Sequence, residues 1–92
     1  MAHLTAADVK ERIRLNLLEA LAPTYLDVID ESHHHEGHGG WREGGATHFR
    51  VKVVSPAFAG KSRVAMHRMI NEALAAELAG GVHALAIEAS AP

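Results

Sequence analysis

Residues 31–46 read Glu-Ser-His-His-His-Glu-Gly-His-Gly-Gly-Trp-Arg-Glu-Gly-Gly-Ala, without hydrophobic period, between two apolar strand patterns. A structureless connection this long is uncommon inside a compact domain and is usually functional or disordered. Whatever fold the chain adopts must let this stretch leave and re-enter at a surface. The stretch holds four of the eight histidines, five of the eight glycines and the lone tryptophan. Neutral imidazole is the commonest protein metal ligand, so the composition points first to metal. The remaining sequence reads as scaffold for presenting this segment.

The flanking patterns are strands. Thr47 to Val54 alternates almost perfectly, which predicts Phe49, Val51 and Val53 toward a core and His48, Arg50 and Lys52 away from it. Tyr25 to Asp30 reads as a shorter strand with Leu26 and Val28 on one side, and the two strands should pair antiparallel. Ahead of them, Thr5 and Asp8 suit a helix start. Val9, Ile13, Leu17, Ala20 and Leu21 then recur on one face, which predicts a helix from about Ala6 to Leu21, ended by Pro23.

Beyond Val54, Pro56 suits the first position of a short helical turn. Ser62 can cap a long helix to about Ala79, with His67, Ile70, Leu74 and Leu78 as its stripe, flanked by Val64 and Ala75. Gly80-Gly81 stops that helix. Val82 to Ala89 reads as a third strand, with His83, Leu85 and Ile87 on one side. The order α-β-β-α-α-β predicts an α+β fold: one three-stranded mixed sheet with helices packed on one face. The helical crossover permits the third strand to run parallel to the second. No repeat or boundary appears, so residues 1–92 read as a single domain.

The totals narrow the function. The core must be aliphatic, because 48% of residues are hydrophobic and only 4% aromatic. The absence of cysteine excludes a disulfide framework, a thiol nucleophile and any thiolate-bound metal held by this chain alone. There is no signal peptide pattern and no apolar run long enough to span a bilayer, which gives the expectation of a cytoplasmic protein without a membrane segment. No Gly-x-Ser-x-Gly, phosphate loop or His-Glu-x-x-His is present, and Asp30 and Glu31 are adjacent on a strand, hence on opposite faces. The expectation is a protein that is not an enzyme.

Five histidines are candidate metal ligands. His33, His35 and His38 have spacings that a bent, glycine-rich backbone can turn toward one ion, with His34 beside them; a merely solvated loop is the alternative. His83, at the start of the last strand, should stand at the sheet rim. His67 reads as a core residue, His48 as solvated and His3 as part of a frayed terminus. A second candidate surface is basic. The net charge is −2, yet no acid lies between Glu43 and Glu72, an interval that holds Arg50, Lys52, Lys61, Arg63 and Arg68. Such cations could neutralise phosphates.

Val28-Ile29-Asp30-Glu31-Ser32, the histidine segment, Thr47-His48-Phe49-Arg50-Val51 and Val54-Ser55 together resemble the BolA family. So do Phe58-Ala59-Gly60-Lys61-Ser62, His67-Arg68 and Val82-His83-Ala84-Leu85, and the likeness runs from about Val9 to Ala89. The resemblance implies a fold similar to class II KH domains. It also implies a partner: BolA-like proteins pair with monothiol glutaredoxins and share a [2Fe–2S] cluster, in iron–sulfur trafficking and iron homeostasis. In that arrangement the glutaredoxin cysteine and glutathione hold one side. Carried onto this sequence, the strand ligand falls on His83 and the second ligand on His35, with His33, His34 and His38 as rivals. The rival reading is a nucleic-acid-binding transcriptional regulator using Arg50, Lys52, Lys61, Arg63 and Arg68. Here the chain departs from the family, with Met66-His67-Arg68 in place of Arg-His-Arg, and Gly80-Gly81 after the long helix lacks the spacing of the Gly-x-x-Gly clamp of true KH domains. A third reading is a loop that binds zinc or nickel without a partner.

Overall fold

A computed structural model describes residues 6–31, 48–82 and 84–92. Helix α1 spans Ala6–Leu21, strand β1 Tyr25–Asp30 and strand β2 His48–Val54. A one-turn 3-10 helix, Pro56–Phe58, leads to α2 at Arg63–Ala73, α3 at Ala75–Ala79 and strand β3 at Ala84–Ser90. The sheet order is β1-β2-β3, with β1 antiparallel and β3 parallel to the central strand. This is the mixed sheet that the alternation and the helical crossover predict.

Period-two alternation in β2 sorts its side chains cleanly. Phe49, Val51 and Val53 are buried at 1%, 0% and 1% exposure. Their partners across the sheet continue the same face: Val28 and Leu26 on β1, and Leu85, Ile87 and Ala89 on β3. Helix α1 lays Val9, Ile13, Leu17 and Leu21 on that face, and α2 adds Ile70 and, just past its end, Leu74. Each such aliphatic side chain contributes about 1.5–3 kcal/mol when fully buried. Arg50, Lys52 and Val54 project from the opposite face, which the helices leave open.

Local chemistry sets the ends. The Ser62 hydroxyl caps α2 by accepting from the Ala65 amide at 3.1 Å. Ser55 caps the 3-10 turn, with Pro56 in its first turn. At the end of α1, Ala22 takes φ +44 and donates to Leu18 O at 3.0 Å, a left-handed cap at a residue that carries a Cβ. The proposed cap at Thr5 lies outside the described residues.

Three expectations are corrected. The long helix from Ser62 to Ala79 is two helices that meet at Leu74, where φ is −106 and ψ is 19. Hydrogen bonds still pass through the junction, from Leu74 N to Ile70 O and from Leu78 N to Leu74 O. The residue at the bend is 1% exposed, so the bend follows the packing of a core leucine. Val64 does not flank the buried stripe: it is 65% exposed. The packed side of α2 centres on Met66, Met69, Ile70 and Ala73, and Val64 lies roughly 200° round from Met66. Ala20, placed on the stripe of α1, is exposed, because the core stripe there steps by four residues from Val9 to Leu21.

Candidate metal centre

Three chain positions meet at one end of the sheet. Asp30 pairs with Phe49 and His48 with Ala84, while the Glu31 amide donates to the His48 carbonyl at 2.8 Å. Segment 32–47 therefore departs and returns at the same sheet end where β3 begins, immediately after residue 83. His33, His34, His35, His38 and His83 lie outside the described residues. Among the described residues no group of three or more His, Asp or Glu is placed to hold a metal ion. The chain's donors for a metal at this end are imidazoles and carboxylates, since it has no cysteine.

Arg50 organises the open face beside this end. Its Nε donates to Glu31 Oε2 at 3.1 Å and its Nη1 to Glu88 Oε2 at 3.2 Å. One guanidinium thus joins the last described residue before segment 32–47 to the edge strand β3. The Glu31 hydrogen bond, followed by that carboxylate's charge and then by Glu88, holds the Arg50 proton more tightly than usual. The sequence reading placed Arg50 correctly on the open face. It missed both carboxylates, although Glu88 is legible once β3 is set in parallel register beside β2.

Two histidine readings are corrected. His48, read as solvated, is buried at 6% exposure. Alternation does place it on the open face, yet it is more buried than Arg50 and Lys52 on the same face of the strand. Being on an open face is a direction; cover comes from neighbours. His67, read as a core residue, is half-buried, because the packed side of α2 is turned one position toward Met66. It lines a shallow groove of about 560 Å³ with Tyr25, Lys52, Arg63 and Glu88.

The cations of the basic interval fall on the sheet and on or just ahead of α2. Arg50 is spent on two carboxylates. Lys52 and Arg63 share the groove, whereas Arg63 and Arg68 stand about 140° apart around α2. Lys61, Arg63 and Arg68 are exposed. Among the described residues, no helix is long and apolar enough to cross a membrane.

Comparison with known proteins agrees with this architecture. The family profile for BolA-like protein matches residues 17–92. An uncharacterized protein from Sinorhizobium sp., from the cobS 5′ region, is 54% identical over 83 residues, covering 89% of each chain. Mouse BolA-like protein 1 is 47% identical over 87 residues, 95% of this chain and 61% of that protein. The structure of the BolA domain of SufE1 from Arabidopsis thaliana superposes with a TM-score of 0.81 at 46% identity, covering 90% of this chain and 91% of that domain. SufE-like protein 1 from the same plant is longer, and this chain spans 23% of it. By profile, sequence and fold together, the chain belongs to the BolA-like protein family.

Proposed function

We propose that this chain is a non-enzymatic adaptor that binds a monothiol glutaredoxin and lends histidine ligands to a shared [2Fe–2S] cluster, in iron–sulfur trafficking. The observation that carries the reading is the meeting of Glu31, His48 and Ala84 at one end of the sheet. A ligand from segment 32–47 and one at residue 83 are thereby tethered to neighbouring backbone positions, although they lie far apart in sequence.

The donor set fits such a cluster. Histidine replaces thiolate on one iron in Rieske centres and raises the reduction potential. A chain without cysteine can supply that half, while the partner's cysteine and glutathione supply sulfur. His83 is the strand ligand and His35 the loop ligand, with His33, His34 and His38 able to substitute for His35. Each must be neutral at the ligating nitrogen. Arg50 holds the base of the segment through Glu31, and so limits where those imidazoles can travel. The cluster itself supplies one-electron chemistry and transferable iron and sulfide.

The test is to co-purify the chain anaerobically with a monothiol glutaredoxin and glutathione, then record visible absorption and circular dichroism. His83→Ala should abolish or strongly destabilise the shared cluster with an unchanged far-UV spectrum of the isolated chain. His35→Ala should lower cluster stability less. An unaltered visible spectrum in the His83→Ala complex would refute the assignment. Zinc titration of the isolated chain separates this reading from simple metal buffering by the loop, and a salt-dependent DNA titration separates it from the nucleic-acid reading.

A further inference from the structure

The turn that delivers the chain to residue 83 is built on an unexpected polar residue. Gly80 N donates to Ala76 O at 2.9 Å and to Glu77 O at 3.1 Å, and Val82 N donates to Glu77 O at 3.2 Å. Gly81, at φ +126, lies inside that last bond. This is a Schellman-type helix stop, in which the side chain at the position of Glu77 ordinarily packs as an apolar group on the residue after the glycine. Val82 fills its half of the arrangement, buried at 7% exposure. Gly80 is also tightly placed: a Cβ there would meet Ala76 O at 3.0 Å.

Glu77 breaks the pattern. Its Oε1 accepts from Asn16 Nδ2 on α1 at 2.5 Å, while Oε2 is buried and has no hydrogen-bond partner among the described residues. A carboxylate oxygen removed from water without a partner costs free energy that leucine at the same place would not. Local rules broken at such a cost concentrate at functional sites. The physical consequence is a tie between distant elements. Asn16 belongs to α1, whose apolar stripe is fixed in the core, and Glu77 carries both the tie and the carbonyl that closes the turn.

We infer that Asn16 and Glu77 form a positioning pair for His83: α1 holds Glu77, Glu77 holds the turn through Val82, and the turn sets where the next residue is presented. This rests on the ligand role of His83 proposed above. Neither residue contacts the cluster in this scheme; both act through backbone placement.

The test compares Asn16→Ala and Glu77→Gln with the wild-type chain. In the isolated chain, Asn16→Ala should speed hydrogen exchange at the Gly80 and Val82 amides about tenfold, as expected for losing one charge-assisted hydrogen bond. The Val51 amide in the central strand reports global opening, which also breaks this bond, so it should speed by no more than the same factor. In the mixed complex with a monothiol glutaredoxin and glutathione, Asn16→Ala should shorten the cluster lifetime and alter its visible circular dichroism. Glu77→Gln keeps an oxygen that accepts from Asn16 but loses the charge, so its exchange and spectrum should fall between those of Asn16→Ala and the wild type. Unchanged exchange at Val82 in Asn16→Ala overturns the pair. Faster exchange with an unaltered cluster spectrum and lifetime overturns the positioning role. A wild-type chain that forms no cluster overturns the proposed function, and the positioning role with it, a failure recognisable because it appears before any variant is made.

Discussion

At one end of the sheet Ser55, fully buried, ties three segments together; at the other, backbone pairing joins Glu31, His48 and Ala84, and Arg50 forms an ion pair with Glu31. The Ser55 hydroxyl donates to Leu21 O at 2.5 Å and accepts from Ala57 N at 3.1 Å, while its own amide donates to Ser90 O at 3.0 Å. Thr24 N adds a bond to Val54 O at 2.8 Å. The closed end therefore joins the α1 terminus, the 3-10 turn and β3 through the buried Ser55. The other end relies on Arg50, whose side chain is 36% exposed, with Glu31 at 20% and Glu88 at 55%. Exposed ion pairs contribute little to stability and are screened by salt. One end of this small sheet is tied by a buried hydroxyl, and the other by ion pairs nearer the surface.

That contrast can be broken by substitution. The largest effect on stability should come from Ser55→Ala, which leaves the buried Leu21 carbonyl without its donor and should cost about 1–3 kcal/mol. Thermal unfolding would read it, and the cluster spectrum of the mixed complex, recorded well below the transition, should stay as in the wild type. A smaller and opposite effect is expected from Ala22→Gly at the same end. Glycine adopts the positive φ without the Cβ clash, so the midpoint should rise, by roughly 0.5–1 kcal/mol in stability. Smallest of the three in unfolding is Arg50→Gln, and its effect should fade as salt is raised. In return it should shorten the cluster lifetime, since the base of segment 32–47 loses its anchor to β3. If Arg50→Gln instead unfolded the chain more than Ser55→Ala, the division of labour between the ends would be wrong.

Sequence pattern captured what depends on periodicity. Phe49, Val51 and Val53 were legible because one buried face imposes a period of two, and Val9, Ile13, Leu17 and Leu21 because one helix stripe imposes a period near four. What escaped depends on contacts between elements. No proline or glycine marks the bend at Leu74; a core position does. The burial of His48 does not follow from its place in the alternation, and the ion pairs of Arg50 come from the register that brings Glu31 and Glu88 beside it. Asn16 and Glu77 lie 61 positions apart and carry no motif. The candidate ligands themselves, His33, His34, His35, His38 and His83, were legible only as residue types and as a family likeness. The fold contributes the shared sheet end, and the spectra described above are what can assign the ligands.

The parallel register of β3 beside β2 carries a consequence for biogenesis. Synthesis runs from the N-terminus, so α1, β1 and β2 leave the ribosome before the crossover helices, and Ala84–Ser90 follows them. Until β3 docks, one side of the central strand lacks its ladder. The proposed loop ligand leaves the ribosome well before the proposed strand ligand, His83. On the proposed assignment, maturation of the bridging centre is therefore a late, post-translational event, set by when the last strand finds its slot.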